Sequence, residues 1–227
     1  SYLVGYRYAL AGVAQTVGID IGTTATPSYQ DLSFKINGGT SALGKFSLFG
    51  ILAKSSIGIS GGSSGSLYGN GNQIDLGSKI GIVGLNHFKQ LNAKSYLSST
   101  MGLNYSKTDQ TDYGYDRPSD TSFENSVNNT SKSGYNISTS YNSKINSRLF
   151  LKVGFQDEIM GVNLYYKTKN QEKDNWNQIW DNNSHTNLAQ VFGAVKYNFS
   201  QRLVLNAGLH AQYFALNKAK SIEPRLG

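Results

Sequence analysis

Leu203-Val-Leu-Asn-Ala-Gly-Leu-His-Ala-Gln-Tyr213 is the stretch whose reading decides the fold. Side chains alternate sides along a strand, so Leu203, Leu205, Ala207, Leu209, Ala211 and Tyr213 share one face, and Val204, Asn206, Gly208, His210 and Gln212 share the other. One face suits hydrocarbon and the other suits water. The run is about as long as a tilted membrane strand of roughly 9–11 residues. The same period recurs upstream. Leu97, Ser99, Met101, Leu103 and Tyr105 oppose Ser98, Thr100, Gly102 and Asn104; Leu149, Leu151, Val153 and Phe155 oppose Lys152, Gly154 and Gln156. Tyr135, Ile137, Thr139 and Tyr141 oppose Asn136, Ser138 and Ser140, and Tyr2, Val4, Tyr6, Tyr8 and Leu10 oppose Gly5, Arg7 and Ala9. About ten such strands can be counted along the chain.

Composition agrees with an all-β protein rich in turns. Gly 25, Tyr 15 and Phe 10 stand against Pro 3 and Cys 0 in 227 residues, and aromatic residues favour strands while glycine favours turns. No run approaches the roughly 20 apolar residues of a membrane helix. Mean hydropathy is slightly negative, which does not argue against a barrel, because polar lumen residues alternate with lipid-facing ones. The absence of cysteine excludes disulfides and thiolate metal sites. The formal charge of +7 comes from 21 Lys and Arg scattered along the chain, so no basic element is concentrated for nucleic acid.

The connections are expected to sort by length. Short links fall at Gly38–Gly44, Asn86–Ala93, Asn142–Ser147 and Asn198–Gln201, and long polar links at Val13–Gln30, Lys54–Ser78, Lys107–Ser131 and Asp157–Asn187. Outer-membrane barrels have short periplasmic turns and longer extracellular loops. The expected fold is therefore all-β, an antiparallel transmembrane β-barrel of which this chain supplies about ten strands. A soluble β-sandwich also alternates, but its loops have no reason to sort by length. Tyr8, Tyr105, Tyr141, Tyr197 and Tyr213 fall at strand ends, where an aromatic belt would meet the headgroups.

Three phrases carry a resemblance: Ser1-Tyr-Leu-Val-Gly-Tyr-Arg-Tyr8, Pro27-Ser-Tyr-Gln-Asp-Leu-Ser-Phe-Lys-Ile-Asn37, and Ser221-Ile-Glu-Pro-Arg-Leu-Gly227. The chain resembles the barrel domain of TonB-dependent outer-membrane receptors of the Bacteroidetes type. Such barrels have roughly 22 strands and a plugged lumen. The resemblance implies a single barrel segment over residues 1–227, with the plug domain and the remaining strands outside it. It also implies uptake of a scarce nutrient across the outer membrane of a Gram-negative bacterium: a metal chelate, haem, a cobalamin, a glycan or a peptide. The partners implied are outer-membrane lipid, the protein's own plug, the TonB complex acting through that plug, and a surface lipoprotein. In that setting the inward residues Arg7, Lys35, Lys152, Lys196 and Arg225 would face plug carboxylates and carbonyls, or simply wet the lumen. A complete smaller barrel acting as channel, adhesin or rim enzyme is the alternative. The terminal Arg-Leu-Gly reads as the middle of a strand pattern, so an isolated segment is expected to be unstable with unpaired edges in lipid.

Chemistry-bearing motifs are sparse. Gly39-Thr-Ser-Ala-Leu-Gly-Lys-Phe46 approaches a phosphate loop, but Phe46 stands where a hydroxyl is needed and no helix follows, which leaves a hairpin turn. His87, His185 and His210 are dispersed, and no nucleophile motif accompanies them, so neither enzyme, metal nor cofactor is expected. Asp109, Asp112, Asp116 and Asp120 share one expected loop without the spacing of a calcium loop. Asp174-Asn-Trp-Asn-Gln-Ile-Trp-Asp-Asn-Asn-Ser-His185 places Trp176, Trp180, Asp181 and His185 in another. Its tryptophans would either stack on a sugar or flat ligand or anchor the loop on its neighbours.

Overall fold

The structure is a computed structural model that describes residues 1–9, 26–60, 73–116, 119, 121–170 and 174–227. Among these, all the regular structure is β. The strands are β1 (Tyr2–Tyr8), β2 (Thr26–Asn37), β3 (Lys45–Ser60), β4 (Gln73–Asn92), β5 (Ser95–Asp116), β6 (Thr121–Lys144), β7 (Leu149–Asn170), β8 (Asn175–Asn198), β9 (Val204–Phe214) and β10 (Ala219–Leu226). They form one antiparallel sheet in sequence order, and among the described residues β1 and β10 each have one edge without a partner strand. Every pairing joins strands consecutive in the chain, the arrangement with the least loop-closure cost for satisfying the backbone groups.

Directly opposed residues of an antiparallel pair share a face, so the register can be followed across the sheet. All five alternating runs read from the sequence fall on the same face. One row runs Phe46, His87, Ser99, Thr139, Phe155, Val191, Ala211, Ile222. The next runs Leu48, Leu85, Met101, Ile137, Asp157, Ala189, Tyr213. The opposite face carries Ser98, Ser140, Gly154, Phe192 and His210 in one row. Leu10 lies outside the described residues, and Leu203 stands just before β9.

The apolar band drifts along the strands as it crosses the sheet. Phe46 lies at its base on β3, yet the same row meets β9 at Ala211, six residues beyond the base residue Leu205. Six residues of rise against six strand spacings corresponds to a strand inclination of roughly 35° to the normal of the band. No second layer covers this face. Among the described residues no apolar side chain is buried; Met101 is 56% exposed, Val191 56% and Leu209 53%. A soluble β-sandwich requires an opposing sheet over such a surface, and the described residues form one sheet only.

Three base turns lie near the expected links Gly38–Gly44, Asn142–Ser147 and Asn198–Gln201, whereas most of the expected link Asn86–Ala93 is strand: β4 stays paired with β5 out to Asn92, and the turn itself is Ala93–Lys94. Between β2 and β3, Ser41 and Gly44 form a bridge, with Gly44 at φ 112°, so the phosphate-loop-like stretch is a hairpin turn. A β carbon at Gly44 would stand 2.4 Å from the Phe88 carbonyl oxygen, which restricts the position to glycine.

The expected long loops Lys107–Ser131 and Asp157–Asn187 are corrected by the structure. Strands β5 and β6 stay paired out to Asp116 and Thr121, and β7 and β8 out to Asn170 and Asn175. Polar composition suggested loops because the periodic signal requires one apolar face. These outer halves are wet on both faces, while the backbone ladder continues. The stretch Lys54–Ser78 is likewise strand up to Ser60 and again from Gln73. Most of Val13–Gln30 lies outside the described residues.

Candidate functional site

Two places concentrate polar and aromatic side chains: the concave polar face near the base of β6–β10, and the projecting end of β7–β8. At the first, a cavity of about 1110 Å³ is bordered by Lys94 and Lys144 beside the base turns, by Lys152 and Lys196 on β7 and β8, and by His210, Glu223 and Arg225 on β9 and β10. Alternation explains the gathering. Lys196 is opposite Asn206, and His210 is opposite Glu223, so each strand directs its polar residues to one side.

Within this cavity the side chains are tied to one another. His210 Nε2 is 3.1 Å from Gln190 Oε1, and its Nδ1 lies 3.4 Å from Glu223 Oε2 without the alignment of a hydrogen bond. Arg225 donates to Glu223 Oε2 at 3.1 Å, and the Ser221 hydroxyl donates to Oε1 at 3.2 Å. The Lys152 ammonium lies over the Phe192 ring, 5.5 Å from its centre, and Lys144 over Phe150 at 5.8 Å. Cations outnumber carboxylates at this surface, so it favours an anionic or carbonyl-rich occupant.

Of the five cations expected inside, Lys152, Lys196 and Arg225 border this cavity. Arg7 and Lys35 share the same face but stand on β1 and β2, at the other side of the sheet. Arg7 has a carboxylate within the sheet: its Nε donates to Asp31 at 3.1 and 3.0 Å, and Asp31 is buried. Lys35 is exposed between Leu3 and Phe49. Lys94, Lys144 and Glu223 escaped sequence reasoning. The first two sit beside turns, and strand pairing brings them to the cavity: Lys144 is opposite Phe150, which is opposite Lys196, and the Lys144 N–H donates to the Lys94 carbonyl.

The second place separates the residues the sequence grouped. Trp176, Trp180, Asp181 and His185 all belong to β8. Trp180 is opposite Tyr166, whereas Trp176 is opposite Lys169, and an irregularity in register lies between them. A bulge adds one residue to one strand and inverts the side on which later residues emerge. The two indoles therefore occupy opposite faces of the ribbon and make no common stacking surface. Each is already engaged: the Lys167 ammonium sits 4.0 Å from the centre of the Trp176 ring, and Tyr166 packs against Trp180 with centroids 5.7 Å apart. Gln178 donates to Asp181 at 3.1 Å, and His185 faces Gly161. At the tip, Lys169 pairs with Asp174 at 2.6 Å.

The acidic residues of β5 do not converge. Asp109 pairs with Lys107 at 2.8 Å, Asp112 accepts from Ser126 and Gln110, and Asp116 accepts from Ser119. Asp120 lies outside the described residues. Beyond the apolar band, burial pushes the Tyr113 hydroxyl above its ordinary pKa, with the charges of Asp75 and Glu124 adding to the effect. Among the described residues no three His, Asp or Glu side chains are placed to hold a metal ion. No protein-family model and no curated protein matches the chain.

Proposed function

We propose that this sheet is part of the wall of a transmembrane β-barrel in a Gram-negative outer membrane, within a TonB-dependent receptor that takes up a scarce nutrient. The observation that carries the reading is the uncovered apolar band, continuous across the strands and inclined to them. On β9 it runs from Leu205 to Tyr213. At about 3.3 Å per residue and the inclination above, that length rises roughly 22 Å, close to the apolar band of about 25 Å in outer-membrane barrels, whose strands tilt about 35–45°. Water against such a face would be costly. Lipid is the solvent that removes the cost without a second protein layer.

The free edges of β1 and β10 agree with a larger barrel whose other strands complete the wall, since an edge in lipid leaves backbone groups unsatisfied. The concave polar face then lines the lumen. Its cations Lys152, Lys196 and Arg225 suit the carbonyls and carboxylates of a plug, and the projecting ribbons of β5–β8 suit capture of the nutrient or contact with a surface lipoprotein. The role is transport, and the protein is not an enzyme in this reading.

Spin labels test the orientation in the full-length protein reconstituted in bilayers. Labels at Leu205, Leu209 and Tyr213 should collide with lipid-soluble oxygen, and labels at Asn206 and His210 with a water-soluble nickel chelate. Equal accessibility of the two sets would overturn the barrel wall.

A further inference from the structure

Three lysines stand side by side across neighbouring strands on the apolar face. Lys54 of β3 is opposite Lys79 of β4, and Lys79 is opposite Lys107 of β5. Like charges directly opposed on a sheet are destabilising, so this row is an arrangement that a folding criterion alone would disfavour. Its position is specific. Immediately on the base side lie Leu52, Gly81 and Tyr105, at the end of the apolar band, and immediately beyond lie Ser56, Gly77 and Asp109. Among the described residues, Lys107 has the Asp109 carboxylate at 2.8 Å, whereas Lys54 and Lys79 have no carboxylate within ion-pair distance. Both are exposed.

Beneath Lys54 and Lys79 runs a groove of about 340 Å³ whose lining includes Leu32, Leu52, Tyr6 and Gln30. The Tyr6 hydroxyl donates to Gln30 Oε1 at 3.0 Å, which fixes the near wall. The groove thus offers an apolar floor continuous with the band and a cationic rim at one end. Neighbouring strands are about 4.8 Å apart, so three ammonium groups span roughly 10 Å, wide enough for more than one phosphate oxygen cluster.

We propose that the Lys54–Lys79–Lys107 row and the groove below it bind the phosphate-bearing headgroup of an anionic lipid, with an acyl chain along Leu32 and Leu52. This rests on the barrel-wall reading, which places the row at headgroup depth. Charge complementarity selects the occupant: bound phosphate relieves the repulsion within the row, and the lysine stems lie along the apolar rim while their heads reach the polar layer. A protein partner would have to cover the lipid-facing band itself.

The test uses the full-length protein in phosphatidylcholine nanodiscs containing a minority of phosphatidylglycerol, with retained lipids counted by native mass spectrometry after extraction. The wild type should retain phosphatidylglycerol, less so at high salt. The triple variant K54Q/K79Q/K107Q should bind it on the order of a hundredfold more weakly, at about one kcal/mol for each surface lysine, and K54R/K79R/K107R should retain it. Retention by the glutamine variant, or loss in both triple variants with insertion intact, overturns the lipid site. Displacement of the lipid by millimolar inorganic phosphate would show a free-anion site and overturn it as well. Failure of the wild type to enter the nanodiscs at all overturns the barrel wall, a result distinct from the others.

Discussion

The base and the outer half of the β7–β8 hairpin are built from one continuous ladder, yet they obey different rules. At the base, Leu149, Leu151, Val153 and Phe155 oppose Tyr197, Val195, Gly193 and Val191, while the reverse mixes Lys152, Lys196, Gln156 and Gln190 with Phe150 and Phe192. In the outer half, Asn163 faces Asn183 and Leu164 faces Asn182, and β8 is exposed from Asn175 to His185. Pairing of backbone groups is therefore sufficient to keep a strand a strand. Hydrophobic contrast between the faces reports where the strand is, not whether it exists. The base should depend on its surroundings, and the ribbon on local cross-strand pairs.

The largest effect expected from this difference is an arginine in the band. Met101→Arg or Val153→Arg should destabilise the inserted protein by roughly 2–4 kcal/mol, the cost of Arg at the middle of a lipid face, in a urea titration of the protein in bilayers. Lys152→Ala, on the reverse of the same strand as Val153, should change stability by less than about 1 kcal/mol. The opposite ranking would mean that the two faces are exchanged.

Next comes the base turn. Gly44→Ala should cost about 1–3 kcal/mol, because the left-handed backbone and the nearby Phe88 carbonyl leave no room for a side chain. The same titration measures it; a loss below experimental error would show that the turn relaxes freely.

Smaller still are the indoles of the ribbon. Trp176→Ala removes the Lys167 contact and Trp180→Ala the Tyr166 contact, each worth about 0.5–1 kcal/mol. Hydrogen exchange should quicken for amides in the outer halves of β7 and β8 and stay unchanged between Leu149 and Phe155. Faster exchange at the base would show that ribbon and band open as one unit.

The least effect on the wall should come from removing residues 163–183 and closing the cut with a two-residue turn. Bilayer insertion, read by heat-modifiable migration on gels, should match the wild type. Loss of insertion would place part of the folding information in the ribbon.

Much of this was readable in the chain itself, because a period of two with one apolar side has a single structural meaning. The alternation at Leu203–Tyr213 and the other four runs fixed which residues share a face, and Gly38–Gly44 marked a turn by its own composition. Register, by contrast, depends on which backbone groups meet across strands, and nothing local encodes it for Lys54, Lys79 and Lys107. Only the assembled sheet aligns them. The outer halves of β5–β8 were read as loops for a related reason: with water on both faces, their polar residues carry no period. The bulge near Trp180 turned a cluster in sequence into residues on opposite faces, since one extra residue inverts every side chain beyond it. Sequence decided the faces, because burial acts residue by residue; the tertiary structure decided neighbours, because neighbours are set by pairing between distant segments.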